Sequence, residues 1–215
     1  MKRNGNTKKF WIALILTLAS ESLAFAAESV MQQSSRAIIP SFGVTSFNLS
    51  GSGYSAKSGM SVGGTYAIKS SFKNVTWEVG ALYLQAGAKK DYFFFSDEIT
   101  MSYLAVPLMA RWDAIHYGEN KSFYLKGGIV PTQLMSAEQE THDYWSGTSQ
   151  KGNIKDQVAK NDVHMSVGIG GTYQLLDSYT ILTELNYMKG TQEVVKGTGY
   201  KSEGLLAQVS VSIPL

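Results

Sequence analysis

The stretch ITMSYLAVPLMARW, residues 99–112, decides how the rest of the chain is read. It is apolar enough for a core helix or a membrane element, yet Pro107 stands in its middle and no helical stripe runs through it. Leu104, Val106, Leu108, Ala110 and Trp112 instead share one face, against a mixed face that ends in Arg111. A period of two puts successive side chains on opposite sides of a strand, so the stretch is predicted to be a β-strand.

Seven more segments carry the same alternation, at 39–49, 58–69, 75–87, 122–135, 161–175, 178–189 and 202–213. Each exceeds the five or six residues, roughly, of a strand in a soluble sheet. The clearest sets Val163, Met165, Val167, Ile169 and Tyr173 against His164, Ser166, Gly168, Gly170, Thr172 and Gln174. The last sets Leu205, Ala207, Val209, Val211 and Ile213 against Gln208, Ser210 and Ser212.

Composition agrees with an all-β domain. The 215 residues include 21 Gly, 12 Tyr and 9 Phe but 4 Pro, and the net charge of +2 predicts no nucleic-acid partner. The absence of cysteine excludes disulfides, thiolate metal sites, a cysteine nucleophile and a lipid-anchored N-terminal cysteine. His116, His142 and His164 lack metal-ligand spacing, and no glycine-rich element reads as a phosphate loop. Neither a cofactor nor a metal is expected.

Residues 1–26 read as a secretory signal peptide: Lys2, Arg3, Lys8 and Lys9 precede the apolar FWIALILTLA at 10–19, and Ala24-Phe25-Ala26 supplies the cleavage site. The apolar run is too short to span a bilayer. Residues 27–38 are expected to form an N-terminal periplasmic segment, and residues 39–215 the folded domain.

Alternation is common to soluble and membrane barrels, so the polar face must decide which side is inside. A water-facing outer wall would be dense in Lys and Glu, whereas here that face is mostly Gly, Ser and Thr. Small residues suit the crowded interior of an eight-stranded barrel, leaving the apolar face to lipid. Trp77, Trp112, Phe123, Tyr173 and Tyr179 then fall near the lower strand ends, as an aromatic girdle. Connections at 70–74, 113–121 and 176–177 are short and those at 88–98, 136–160 and 190–201 longer, the asymmetry of periplasmic turns and external loops. Unpaired backbone groups cost several kcal/mol each in hydrocarbon, so only helices or closed barrels cross it. The predicted fold is an eight-stranded antiparallel up-and-down transmembrane β-barrel in a bacterial outer membrane.

SYLAVPLMARW followed by FYLKGGIVP resembles the tyrosine-leucine-x-hydrophobic-proline pattern and glycine-rich next strand of outer-membrane β-barrel families. The likeness is greatest to the PorT-like group, and extends to the small OmpX and OmpA transmembrane domains. Tyr103, Leu104, Val106, Pro107, Gly127, Gly128 and Pro131 carry it. The resemblance implies a porin-like envelope barrel with outer-membrane lipid and the barrel-assembly machinery as partners, and no shared catalytic residues. The ending SVSIPL departs from it, since Leu215 replaces a terminal aromatic.

Pro107 lacks an amide for the ladder, and a bulge shared with Pro131 is the expected accommodation. Inward charges are predicted at Glu78, Arg111, Lys126 and Glu184, the first three at similar depth and Glu184 from across the lumen, forming a polar plug. His164 and Ser166 resemble the histidine and serine of lipid A deacylase barrels, but in that family the triad faces lipid, whereas these two share the inward face. Tyr92, Phe93, Phe94, Phe95, Tyr144 and Trp145 mark a candidate surface-contact loop set that caps the barrel, meets lipid or meets a partner. The expected function is a non-enzymatic outer-membrane anchor with surface loops for adhesion or partner contact. The alternatives are a lipid-modifying enzyme and a secreted soluble ligand-binding barrel.

Overall fold

The computed structural model describes residues 35–72, 74–117, 121–176, 179–195 and 197–215. The expected signal peptide 1–26 and residues 27–34 of the expected periplasmic segment lie outside the described residues, as do positions 73, 118–120, 177–178 and 196. Ten strands follow one another: β1 (Arg36–Ser50), β2 (Ser55–Lys69), β3 (Val75–Asp91), β4 (Phe95–Ala105), β5 (Leu108–Tyr117), β6 (Lys121–Asp143), β7 (Ser149–Asn153), β8 (Asn161–Leu176), β9 (Tyr179–Glu193) and β10 (Lys201–Pro214). All pairings are antiparallel.

The sheet closes on itself. β1 pairs with β2 and β10, β2 returns to β3, and β6 pairs with β4, β5 and β8. β4 and β5 are two halves of a single stave, so eight staves form the ring and β7 extends β6 as a hairpin above it. The eight predicted segments are these staves. Closure leaves no open edge in the ring, which is what a bilayer requires of a sheet.

Pro107 divides that stave without a bulge. Ala105 and Leu108 face Leu82 and Val79 on one side, and Thr132 and Ile129 on the other, so equal numbers of residues lie between the rungs. Gly80 N–H donates to Pro107 O at 3.2 Å and Val106 N–H to Pro131 O at 2.8 Å. Each proline removes only the return bond of its own rung, which costs less than re-registering a stave. The bulge expected at Pro107 lies instead at Ser102/Tyr103 and at Asp113/Ile115.

The apolar face points outward. Met165, Val167, Ile169 and Tyr173 are 48–64% exposed, whereas His164 and Ser166 between them are at 1% and 3%. Among the described residues no helix is long and apolar enough to cross a membrane. Turn chemistry fits the chain at the β2–β3 turn, where Asn74 takes a φ of 63°, a left-handed conformation that Asn tolerates.

Three expectations need correction. The first strand begins at Arg36, paired with Ile68, inside the segment assigned to the periplasm. The connections at 88–98 and 136–160 are largely strand: β3 and β4 leave a turn at 92–94, and β6 runs to Asp143 before pairing back with β7. Ladder hydrogen bonds join backbones, so polar side chains on a wet wall do not end a strand. The interior, finally, is not uniformly small and polar. Phe47, Leu82, Leu84, Met101, Tyr103, Leu134 and Leu206 pack together inside the upper barrel. These inward apolar side chains pack against one another and exclude water from that part of the lumen.

Candidate functional site in the barrel interior

Below this apolar core lies a belt of charge. Glu78 on β3, Arg111 on β5, Lys126 on β6 and Glu184 on β9 point inward with side chains 2%, 13%, 10% and 6% exposed. Arg111 Nη1 donates to Glu78 Oε1 at 3.1 Å, and Lys126 Nζ lies 2.7 Å from Glu78 Oε2. Lys126 also reaches Glu184, at 3.0 Å to Oε2 and 3.2 Å to Oε1. The four predicted charges thus meet in one network, with Lys126 bridging the two carboxylates.

Glu184 reaches Lys126 across β8, a single intervening stave, rather than across the lumen. Glycines make the passage. A Cβ at Gly168 would stand 2.1 Å from the Asn186 side chain, and one at Gly170 would stand 2.2 Å from the Tyr124 ring. Through that gap Tyr124 donates its hydroxyl to Glu184 Oε2 at 3.1 Å, and Asn186 Nδ2 donates to Oε1 at 3.0 Å. The Arg111 guanidinium lies 5.4 Å from the centroid of the Tyr124 ring, within cation–π range. Sequence reasoning missed Tyr124 and Asn186. The inward parity of Tyr124 and the glycines opposite it were the available signals.

Arg111 Nε faces Asp113 Oδ1 at 3.4 Å without alignment for a hydrogen bond, so both atoms remain without one among the described residues. Beneath the belt, Ile39, Ala67, Tyr124 and Leu182 form a second apolar cluster. The charges are therefore held between two apolar layers, where each must have a counter-charge to remain ionised. The central cavity, lined by Glu78, Lys126, Glu184, Leu82, Val130 and Ser166 among others, leaves about 30 Å³ of free volume. That is room for water and little else.

His164 and Ser166 are also inside. His164 Nδ1 meets Thr132 Oγ1 at 3.5 Å, and its ring lies edge-on to Phe47 and Tyr103. Its nearest carboxylate is Asp162 at 3.8 Å, not Glu184. Asp162 Oδ1 accepts backbone N–H bonds from Val163, Thr191 and Gln192, which tie β8 to the end of β9. No group of His, Asp and Glu suited to a metal ion occurs among the described residues.

Trp77, Trp112, Tyr173 and Tyr179 are 45–55% exposed on the outer wall near the lower strand ends, with Phe123 partly buried among them. Lys121 Nζ sits 5.6 Å above the Tyr173 ring at that rim. At the opposite end, Tyr92 and Phe95 stack at 4.3 Å, while Phe93 and Trp145 are 89% and 88% exposed. These aromatics do not cap the barrel. That place is taken by Val158 and Val194, at 5% and 4%, held by the Val158–Val195 bridge.

Residues 29–190 match the profile of the outer membrane protein beta-barrel domain. No curated protein matches the sequence. Among solved structures, the chain is similar to Neisserial surface protein A, at 10% identity and a TM-score of 0.54, over 85% of this chain and 98% of that one. It is also similar to the N-terminal β-barrel domain of Pseudomonas aeruginosa OprF, at 12% identity and a TM-score of 0.40 over 86% and 100% of the two chains. Ail of Yersinia pestis, solved with a heparin analogue, gives 14%, 0.42, 84% and 100%.

Proposed function

This chain belongs to the outer membrane protein beta-barrel family of the bacterial outer membrane, and from that premise we propose that it is a non-enzymatic anchor whose barrel is closed and whose surface strands and loops make its contacts. One observation carries the reading: the Glu78–Arg111–Lys126–Glu184 network lies between two apolar clusters. A pore needs a continuous wet path, and this interior is filled by its own side chains. The network is a plug that holds β3, β5, β6 and β9 in register. Its partners in this reading are outer-membrane lipid, the barrel-assembly machinery during insertion, and a molecule met at the external loops. The PorT-like sequence pattern around Tyr103 and Pro107 belongs to the staves and adds no chemistry.

Hydrolysis of lipid needs a serine that lipid can reach, and Ser166 is 3% exposed on the inward face. Purified protein is expected to show heat-modifiable gel mobility, no conductance steps in planar bilayers, and no change in outer-membrane lipid between wild type and Ser166→Ala. Regular conductance steps would overturn the closed interior, and lipid cleavage lost in Ser166→Ala would establish an enzyme.

A further inference from the structure

Two aromatic turns meet above the barrel. The β4–β6 ladder continues to its last rung, Phe95 opposite Asp143, and beyond it Tyr144 N–H donates to Phe94 O at 2.9 Å. The Tyr144 hydroxyl donates to Asp91 Oδ1 at 3.3 Å, tying the β6–β7 turn to the end of β3. Phe93 packs edge-on against Phe94 at 4.7 Å. The joined tip presents Phe93, Phe94, Tyr144 and Trp145, each more than half exposed. With Phe93 and Trp145 at 89% and 88% exposed, a protein partner would have to supply a pocket for them, whereas a bilayer interface accepts protruding aromatics without one.

The charges beside the tip are matched among themselves. Lys89 pairs with Asp91 at 3.3 Å and Glu98 at 3.6 Å, Lys57 with Glu98 at 2.8 Å, and Lys151 with Glu140 at 3.1 Å. Lys90 lies over the Tyr54 and Tyr92 rings at 5.5 and 5.2 Å, and Asp143 Oδ1 accepts the Trp145 N–H at 2.8 Å. Such a surface complements a neutral amphipathic partner rather than a polyanion. Height excludes the membrane that holds the barrel. The outward apolar run of β3 is Trp77, Val79, Ala81 and Tyr83, and Phe93 stands ten residues beyond Tyr83. At about 3.3 Å per residue and a tilt of about 40°, Phe93 stands about 40 Å above Trp77, so over an apolar band about 25 Å tall that starts at Trp77 the tip rises about 15 Å, past the roughly 6 Å of headgroups.

Resting on the surface-contact reading above, we propose that the joined β3–β4 and β6–β7 tips insert Phe93, Phe94, Tyr144 and Trp145 into the interface of an apposed lipid bilayer. The test uses the full chain in lipid nanodiscs, floated with separate vesicles of phosphatidylcholine, with or without phosphatidylglycerol. The expected result is similar co-flotation with both compositions and at least a tenfold loss in the F93S/W145S variant, which keeps its heat-modifiable mobility. Absence of co-flotation, binding confined to anionic vesicles, or binding undiminished in the variant would overturn the proposal. Nanodiscs that ignore vesicles but bind immobilised glycoproteins through Phe93 and Trp145 would likewise overturn it, while leaving the surface-contact reading standing.

Discussion

Tyr124 crosses Gly170 to donate its hydroxyl to Glu184 at 3.1 Å, so a tyrosine on β6 is held by a carboxylate on β9 through a space that β8 leaves open. The contact depends on the curvature of the sheet, since it joins two staves that flank β8 rather than each other.

Gly170→Ala is therefore expected to destabilise the barrel. The new methyl would stand 2.2 Å from Tyr124 Cζ and 2.6 Å from Thr183 O, and backbone cannot move aside cheaply. A loss of about 1–3 kcal/mol is expected from overpacking. Gly127→Ala, whose nearest neighbour is Ser166 O at 3.8 Å, serves as the control and should change little. Urea unfolding in detergent, followed by gel mobility, reads the difference.

Glu78→Ala removes the carboxylate shared by Arg111 and Lys126. Lys126 keeps Glu184 but Arg111 keeps only the poorly aligned Asp113. The expected loss is about 3 kcal/mol, against about 0–1 for Glu140→Ala, whose partner Lys151 is exposed. Equal effects of the two substitutions would dismiss the plug.

Val167→Arg tests which face meets lipid. Val167 is 61% exposed at the middle of β8, with apolar Met165 and Ile169 beside it. In a bilayer an arginine there costs about 2–4 kcal/mol, and in water it would cost next to nothing. Reduced folding yield into vesicles, with mobility unchanged for a charge placed on an external loop, is the expected result. A soluble, fully folded Val167→Arg protein would refute the membrane assignment.

Acid should loosen the β6–β7 turn. The Trp145 backbone N–H, followed by the Ser146 hydroxyl and N–H, holds the Asp143 carboxyl below its usual range. A lowered folded value means the ionised form is the one the turn stabilises. The contribution is present above the ordinary carboxylate range, near about pH 4, and is lost as pH falls through the lower folded value. Emission of Trp145, in a protein with Trp11, Trp77 and Trp112 changed to Phe, should shift on acidification below that range. Asp143→Ala should show no such transition.

The eight staves were legible because each carries its own alternation, as in Met165, Val167 and Ile169 against His164 and Ser166. The inward charges were legible from the same parity. The missed features have no local signal. Pro107 was expected to force a bulge, but the register on both sides of it is unchanged, because the rungs at Gly80 and Pro131 each give up one bond. Polar stretches such as Lys89 to Glu98 read as loop, yet they form a ladder whose cross-strand partner supplies what local propensity lacks.

By itself the sequence determined the strands and the face each turns to lipid, because a period of two is a property of neighbouring residues and needs no partner. Only the tertiary structure decided that Lys126 bridges Glu78 and Glu184, that apolar layers enclose that belt, and that Phe94 and Tyr144 join two tips into one. Those contacts depend on which staves stand side by side and with what stagger, which closure of the ring sets across distances that local pattern does not encode.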